Sequence, residues 1–157
     1  MRGTVKEYRI TKYGPALREP NGEYQGDDWI MFGQIGQTFG GVVLAEQEYK
    51  RVENAYVKVA IAFLSESGIA TLRVVGLENS HRQPLEFAEG SILPIEKLSD
   101  VFGLILREEV WCRLQADGGF VHFGWDYYMY IGVPSRCPAA EQTASELGLY
   151  VEEFNSP

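Results

Sequence analysis

The chain has only two cysteines and two histidines in 157 residues, and that scarcity limits the chemistry it can carry. Neither cysteine belongs to a Cys-x-x-Cys pair, and no His-x-His occurs. Neither a disulfide framework nor a closed zinc site is expected. No apolar run approaches the roughly 20 residues of a membrane-crossing helix. Met1-Arg2-Gly3-Thr4 leads directly into the charged Lys6-Glu7-Tyr8-Arg9, without the apolar stretch of an export signal. The reading is a soluble, cytoplasmic chain with no cofactor and no membrane partner. Gly33, Gly36, Gly40 and Gly41 follow neither Gly-x-Gly-x-x-Gly nor the phosphate-loop pattern, so no nucleotide site is read there.

Positive charge is also in short supply. Fourteen Lys and Arg stand against 22 Asp and Glu, a formal charge of −8. Through Glu78 the count is 9 against 10, and from Asn79 onward it is 5 against 12. A protein that binds a nucleic-acid backbone has to neutralise phosphates with Lys and Arg, so this balance disfavours nucleic acid and favours a basic protein partner or no partner at all. At 45% hydrophobic and 13% aromatic content the chain is long enough to bury one core, and a single domain over 1–157 is expected.

Aromatic residues are plentiful, and they concentrate between Phe120 and Ile131. Read as one strand, this stretch puts Val121, Phe123, Trp125, Tyr127, Met129 and Ile131 on one face, because successive strand side chains point to opposite sides. Phe120, His122, Gly124, Asp126, Tyr128 and Tyr130 take the other face, which suits recognition. Upstream, Val110, Cys112 and Leu114 alternate with Glu109, Trp111, Arg113 and Gln115. Ala116-Asp117-Gly118-Gly119 supplies the residue pairs of a two-residue hairpin turn. A turn on Asp117 and Gly118 sets Arg113 opposite His122 and Cys112 opposite Phe123. A turn on Gly118 and Gly119 shifts the partners but keeps the faces.

Elsewhere, Thr4 to Thr11 reads as a strand and Tyr13 to Asp28 as a long loop ending at Asp27-Asp28-Trp29. Such loops are often functional, although Trp29 also suits the core. Leu44 to Ser67 is the best helix, with Tyr49, Val52, Tyr56, Val59, Ala60, Phe63 and Leu64 at helical spacing and Gly68 as its C-terminal cap. Ile69 to Leu77 reads as a strand, Pro84 to Ile92 as a short extended segment, and Pro94 to about Glu108 as a helix. A loop holding Cys137, a short helix from about Ala139 to Leu147 and a strand from Leu149 to Phe154 complete the chain. The fold class is therefore α+β, a mainly antiparallel sheet with a central hairpin at about 109–131 packed against two main helices.

Catalytic readings fit poorly. His122 and Asp126 share a face, but four residues along a strand span roughly 13 Å, whereas a base and its orienting acid lie within about 3.2 Å. Cys112 and His122 fall on opposite faces. His81, between Ser80 and Arg82, reads as a surface residue, though a hydrolase or nuclease using His122 or His81 with acids from elsewhere stands as an alternative. Phe120-Val121-His122-Phe123 resembles the second ribonucleoprotein motif of cold-shock domains, which implies a single-stranded nucleic-acid alternative using the Phe120–Tyr130 face. Protein binding explains more: Tyr and Trp are favoured interface anchors, and Trp111, Phe120, Tyr128 and Tyr130 share the outward face with Arg113 and His122. Asp126, Glu108 and Glu109 add negative charge, and Asp27 and Asp28 a second acidic point.

Ile10-Thr11-Lys12-Tyr13, with Pro15, Arg18, Asn21-Gly22, Tyr24 and Asp28-Trp29, followed by Val121-His122-Phe123-Gly124-Trp125-Asp126-Tyr127-Tyr128-Met129-Tyr130, resembles bacterial immunity proteins of the polymorphic-toxin type. That resemblance implies a non-enzymatic cytoplasmic chain that binds a cognate toxin domain, often a basic nuclease, and blocks its active site. It assigns no particular binding residues.

Overall fold

The computed structural model describes residues 5–17, 19–20, 26, 28–124 and 126–154. Among these described residues nine strands and three α-helices follow in the order β1 (Lys6–Thr11), β2 (Thr38–Phe39), β3 (Val42–Val43), α1 (Glu46–Glu66), β4 (Thr71–Glu78), β5 (Ile92–Pro94), α2 (Leu98–Leu106), β6 (Trp111–Ala116), β7 (Gly119–Phe123), β8 (Met129–Val133), α3 (Pro138–Glu146) and β9 (Tyr150–Glu153). Seven strands form one antiparallel sheet in the order β5-β4-β6-β7-β8-β1-β9. The fold class is α+β, and the β6–β7 hairpin lies at the centre of the sheet. β2 and β3 make a separate two-stranded ribbon turned by Gly40 and Gly41, both at positive φ.

Helix α1 forms where the spacing predicts it. Tyr49, Val52, Tyr56, Val59, Ala60, Phe63 and Leu64 are all buried against Tyr8, Ile10, Cys112, Leu114, Val121, Phe123, Met129 and Ile131 of the sheet. Burying each large side chain of this stripe contributes about 1.5–3 kcal/mol. The helix stops at Gly68 (φ +76), where Gly68 N–H donates to Ser65 O and Ile69 N–H to Leu64 O. This is the paired C-terminal capping arrangement that a left-handed residue allows. α2 and α3 flank α1 on the same side of the sheet, leaving the other side uncovered by any helix among the described residues.

The hairpin register matches the Asp117–Gly118 turn: Leu114 pairs with Val121 and Ala116 with Gly119. The expected single strand from Phe120 to Ile131 does not form. The chain reverses at Gly124–Tyr128 and returns as β8, pairing Val121 with Ile131, His122 with Tyr130 and Phe123 with Met129. Each partner pair sums to an even number, so both members share a parity. Alternation along one strand and pairing across two strands therefore give the same faces, and Val121, Phe123, Tyr127, Met129 and Ile131 are buried as expected. Trp125 lies outside the described residues.

One smaller expectation changes. Residues 84–91 are irregular and only Ile92–Pro94 is extended, because Gly90 N–H and Ser91 O bond to Val74 before the ladder begins. Cys137 sits in the loop before α3 as expected, and it is fully buried there, with Sγ 3.1 Å from Ser67 Oγ. Trp29 takes the core option, packed against Tyr49 and Tyr127.

Candidate functional site

The turn between β7 and β8 is held by groups distant in sequence. Asp126 (φ 56) and Tyr127 (φ 68) both adopt the left-handed conformation, which costs an L-residue about 1–2 kcal/mol. Tyr13 OH donates to Asp126 O at 2.6 Å, and Tyr56 OH donates to Tyr127 O at 2.7 Å while accepting Lys12 N–H at 2.9 Å. Tyr127 OH in turn donates to Leu106 O at 2.7 Å, tying the turn to the end of α2. Behind it Tyr49 OH donates to Glu53, whose two oxygens also accept from Arg107. Burial pushes the hydroxyl pKa values of Tyr13, Tyr49, Tyr56 and Tyr127 up, so all four remain protonated donors.

This network shapes one wall of a cleft of about 300 Å³. The other walls come from Glu78, Ser80 and His81, and from the segment linking α2 to β6 with Glu108, Glu109 and Trp111. In β4 an extra residue at Gly76 (φ +68) bulges the strand and sets Glu78 opposite Trp111 at the cleft mouth. The Gly76 and Leu77 N–H groups freed by the bulge donate to Glu89. Four carboxylates, Glu78, Glu108, Glu109 and Asp126, line the cleft, and no Lys or Arg does among its described residues.

The backbone at this cleft is unusual for the fold. Four described non-glycine residues have positive φ: Arg82, Glu108, Asp126 and Tyr127. Three line the cleft, and the fourth directly follows His81 on its rim. The comparison among helix ends is sharper. All three helices close with the same pair of bonds, seen at α3 as Gly148 N–H to Ser145 O and Leu149 N–H to Ala144 O, and at α2 as Glu108 N–H to Ile105 O and Glu109 N–H to Leu104 O. The left-handed residue is Gly68 in α1, Gly148 in α3 and Glu108 in α2. Where the cleft is, a carboxylate occupies the position that glycine fills elsewhere.

The residues expected to bind a partner divide among separate places. Trp111 and Asp126 are at the cleft, and Trp111 Nε1 donates to Phe123 O at 3.0 Å. Arg113, Phe120, His122 and Tyr130 are on the open face of the sheet. There Phe120 stacks on His122 (5.2 Å, 17°), and Tyr130, packed under His122 and Phe154, is 7% exposed. Tyr128 packs against Tyr13 with the Arg9 guanidinium 5.4 Å from its ring. Asp28 is apart from all of these, 2.8 Å from Lys12 Nζ, which lies over the Trp29 ring. Burial lowers the Lys12 pKa to about 8 against that pairing. Asp27 lies outside the described residues.

His122, Cys112 and Asp126 are not brought together. Burial first, and then the Arg113 charge, lower the pKa of His122 against the opposing pull of the Glu7 carboxylate, and the Phe120 and Tyr130 rings flank it. Asp126 is in the turn, and Cys112 is in the core. His81 lines the acidic cleft but makes no hydrogen bond or ion pair to another described residue. Among the described residues no group of three or more His, Cys, Asp or Glu could hold a metal ion, and no helix is long and apolar enough to cross a membrane. Sequence reasoning missed Glu78 and Tyr127 as parts of the site, because the bulge and the turn that place them show only in three dimensions. Compared with protein-family models, curated proteins and solved structures, the chain matches none.

Proposed function

We propose that this chain is a binding protein whose acidic cleft captures a cationic segment of another protein, and that the partner is a toxin domain held in the manner of an immunity protein. The observation that carries this reading is Glu108 in the left-handed capping position that Gly68 and Gly148 fill at the other two helices. Strain of this kind collects where it serves recognition. The carboxylates of Glu78, Glu109 and Asp126 surround the same space, and Trp111 offers a ring on which an Arg or Lys side chain of the partner can lie. The turn is fixed in advance by Tyr13, Tyr56 and Tyr127, so little ordering entropy opposes binding. Toxin neutralisation rests on the family resemblance together with this charge pattern.

The test is retention of a basic protein from lysate of the source cells by the tagged chain, at low and high salt. The retained protein is then expressed alone and beside this chain. The reading expects a partner that arrests growth alone, is silenced by co-expression, and escapes a Glu108→Lys, Glu109→Lys double variant that folds normally. A partner held equally well by that variant refutes the cleft as the site.

A further inference from the structure

The longest run of the chain without a charged residue is Trp29 to Ala45, seventeen residues in a row, and it carries the β2–β3 ribbon near its far end. Val42 and Val43 are consecutive in β3, so their side chains point to opposite faces of the ribbon. Both are nevertheless exposed, at 70% and 57%, more than any other large hydrophobic among the described residues. Of the ribbon only Phe39 packs against the core. A two-stranded hairpin held by so little is marginal on its own and gains from a further strand.

Open sheet edges are ordinarily guarded with charge or proline, and the seven-stranded sheet follows that rule. Its edge strand β9 carries Glu152 and Glu153, and β5 at the other edge ends at Pro94. The ribbon has neither guard. Leu44 N–H donates to Gln37 O and Leu44 O accepts from Gly36 N–H, both at 2.8 Å, so hydrogen bonds close the ribbon at Gln37 and Leu44. In an antiparallel ladder bonded and non-bonded pairs alternate, which makes Thr38 with Val43 a non-bonded pair. The main-chain N–H and C=O of Val43 therefore point away from β2, along the outer edge of β3. Charge does not oppose a contact there. From Trp29 to Arg51 the formal charge is zero, and Glu46 and Glu48 are paired with Lys50 and Arg51 within α1.

We infer that the outer edge of β3 is a self-association surface whose occupant is a second copy of this chain, the two β3 strands pairing antiparallel about a two-fold axis at Val43. The outward N–H and C=O of one Val43 bond those of the other, as a two-fold contact requires of a self-complementary patch. Val42 then comes opposite Leu44 of the second copy and Gly41 opposite Ala45, so apolar meets apolar and no like charges are opposed. The ribbon becomes four strands, β2-β3-β3-β2. Charge decides for a second copy, because two chains of formal charge −8 repel each other except where a surface brings no net charge. A lipid surface is the poorer occupant, since the neighbouring Lys50 and Arg51 are already paired and cannot meet anionic headgroups. The inference does not rest on the partner proposed for the acidic cleft.

The experiment is sedimentation velocity of the full chain from about 10 μM to about 1 mM, the range of a small, transient interface. The mean mass should rise from that of one chain toward that of two, and more readily at about 500 mM than at about 50 mM salt, because salt screens the repulsion between acidic copies. Val43→Glu sets two like charges directly opposite and should weaken association by about tenfold or more. Val43→Cys should oxidise to a covalent dimer, its two Cβ atoms being about 5 Å apart across the axis. Thr38→Cys should not, because three strand spacings, roughly 14 Å, separate its two copies. Cys112 and Cys137 are buried and add no background, and both substituted positions are exposed, so circular dichroism should be unchanged. A chain that stays monomeric at 1 mM in either salt, a dimer indifferent to Val43→Glu, preferential cross-linking of Thr38→Cys, or flotation with phosphatidylserine vesicles that Val43→Glu abolishes would each overturn the inference.

Discussion

Glu108→Gly separates the needs of the fold from those of the site. Glu108 ends α2 at φ 62, and its backbone bonds match those of Gly68 and Gly148. Relieving the left-handed conformation of an L-residue returns about 1–2 kcal/mol, and the extra freedom of glycine in the unfolded chain takes back about 0.5–1 kcal/mol. Glu108→Gly should therefore stabilise the protein by about 0.5–1 kcal/mol, a rise in melting temperature of roughly 1–4 °C for a chain of this size. The reverse substitutions provide the control, because a Cβ at Gly68 or Gly148 would meet nothing within 4 Å. Gly68→Glu and Gly148→Glu should each lose about the same amount, through the backbone alone. Urea unfolding measures all three, read as midpoint shifts at constant slope. Partner capture should move the opposite way, weakened by Glu108→Gly and equally by Glu108→Gln, which keeps the backbone and removes the charge. If Glu108→Gly destabilises the fold, the carboxylate is a structural support and the strain is not kept for binding.

Tyr56→Phe orphans two main-chain groups, Lys12 N–H and Tyr127 O, and should cost about 2–4 kcal/mol, whereas Tyr13→Phe frees the carbonyl of the exposed Asp126 and should cost under about 1 kcal/mol; equal midpoint shifts in urea would contradict this ranking. His122 should titrate below 6.5 by NMR, since burial and Arg113 both disfavour its charge. Its contribution to stability is fully present above pH 6.5 and lost as pH falls through the lower folded value; Arg113→Ala should raise the midpoint, and an unmoved midpoint would remove Arg113 from the account. Lys12 is held at a pKa of about 8 against 10.5 unfolded, so the unfolded chain binds the extra proton between those values and stability should rise with pH across that window. Lys12→Met should accordingly stabilise the protein by about 1–3 kcal/mol at pH 7 and lose that advantage as pH approaches 10.5, whereas a Lys12→Met protein less stable than wild type at pH 7 would mean that the ion pair with Asp28 outweighs burial.

The parts of this structure that could be read from the sequence are those whose causes are local. The α1 stripe and its glycine stop fall within about six turns of one helix, and the Asp117–Gly118 hairpin carries its turn signal between two alternating runs. The β7–β8 reversal has no such signal, since its left-handed residues are an aspartate and a tyrosine. They hold that conformation because hydroxyls from Tyr13 and Tyr56, more than 70 residues away, donate to the turn's carbonyls. Face parity survived the missed turn only because the register is even; an odd register would have sent Met129 and Ile131 outward. The same reasoning explains why the expected binding set came apart. Alternation places Trp111, Arg113, His122 and Asp126 on one face, but it cannot tell that a bulge at Gly76 and a turn at Asp126 fold acids around Trp111 while leaving Arg113 and His122 in the open. Total charge was a poor guide for a related reason. A count of acids and bases averages over surfaces, whereas recognition depends on which unpaired charges share one. Arg73 stands in a half of the chain where charges nearly balance, and only the pairing of β4 with β6 brings it onto the face that carries Arg113.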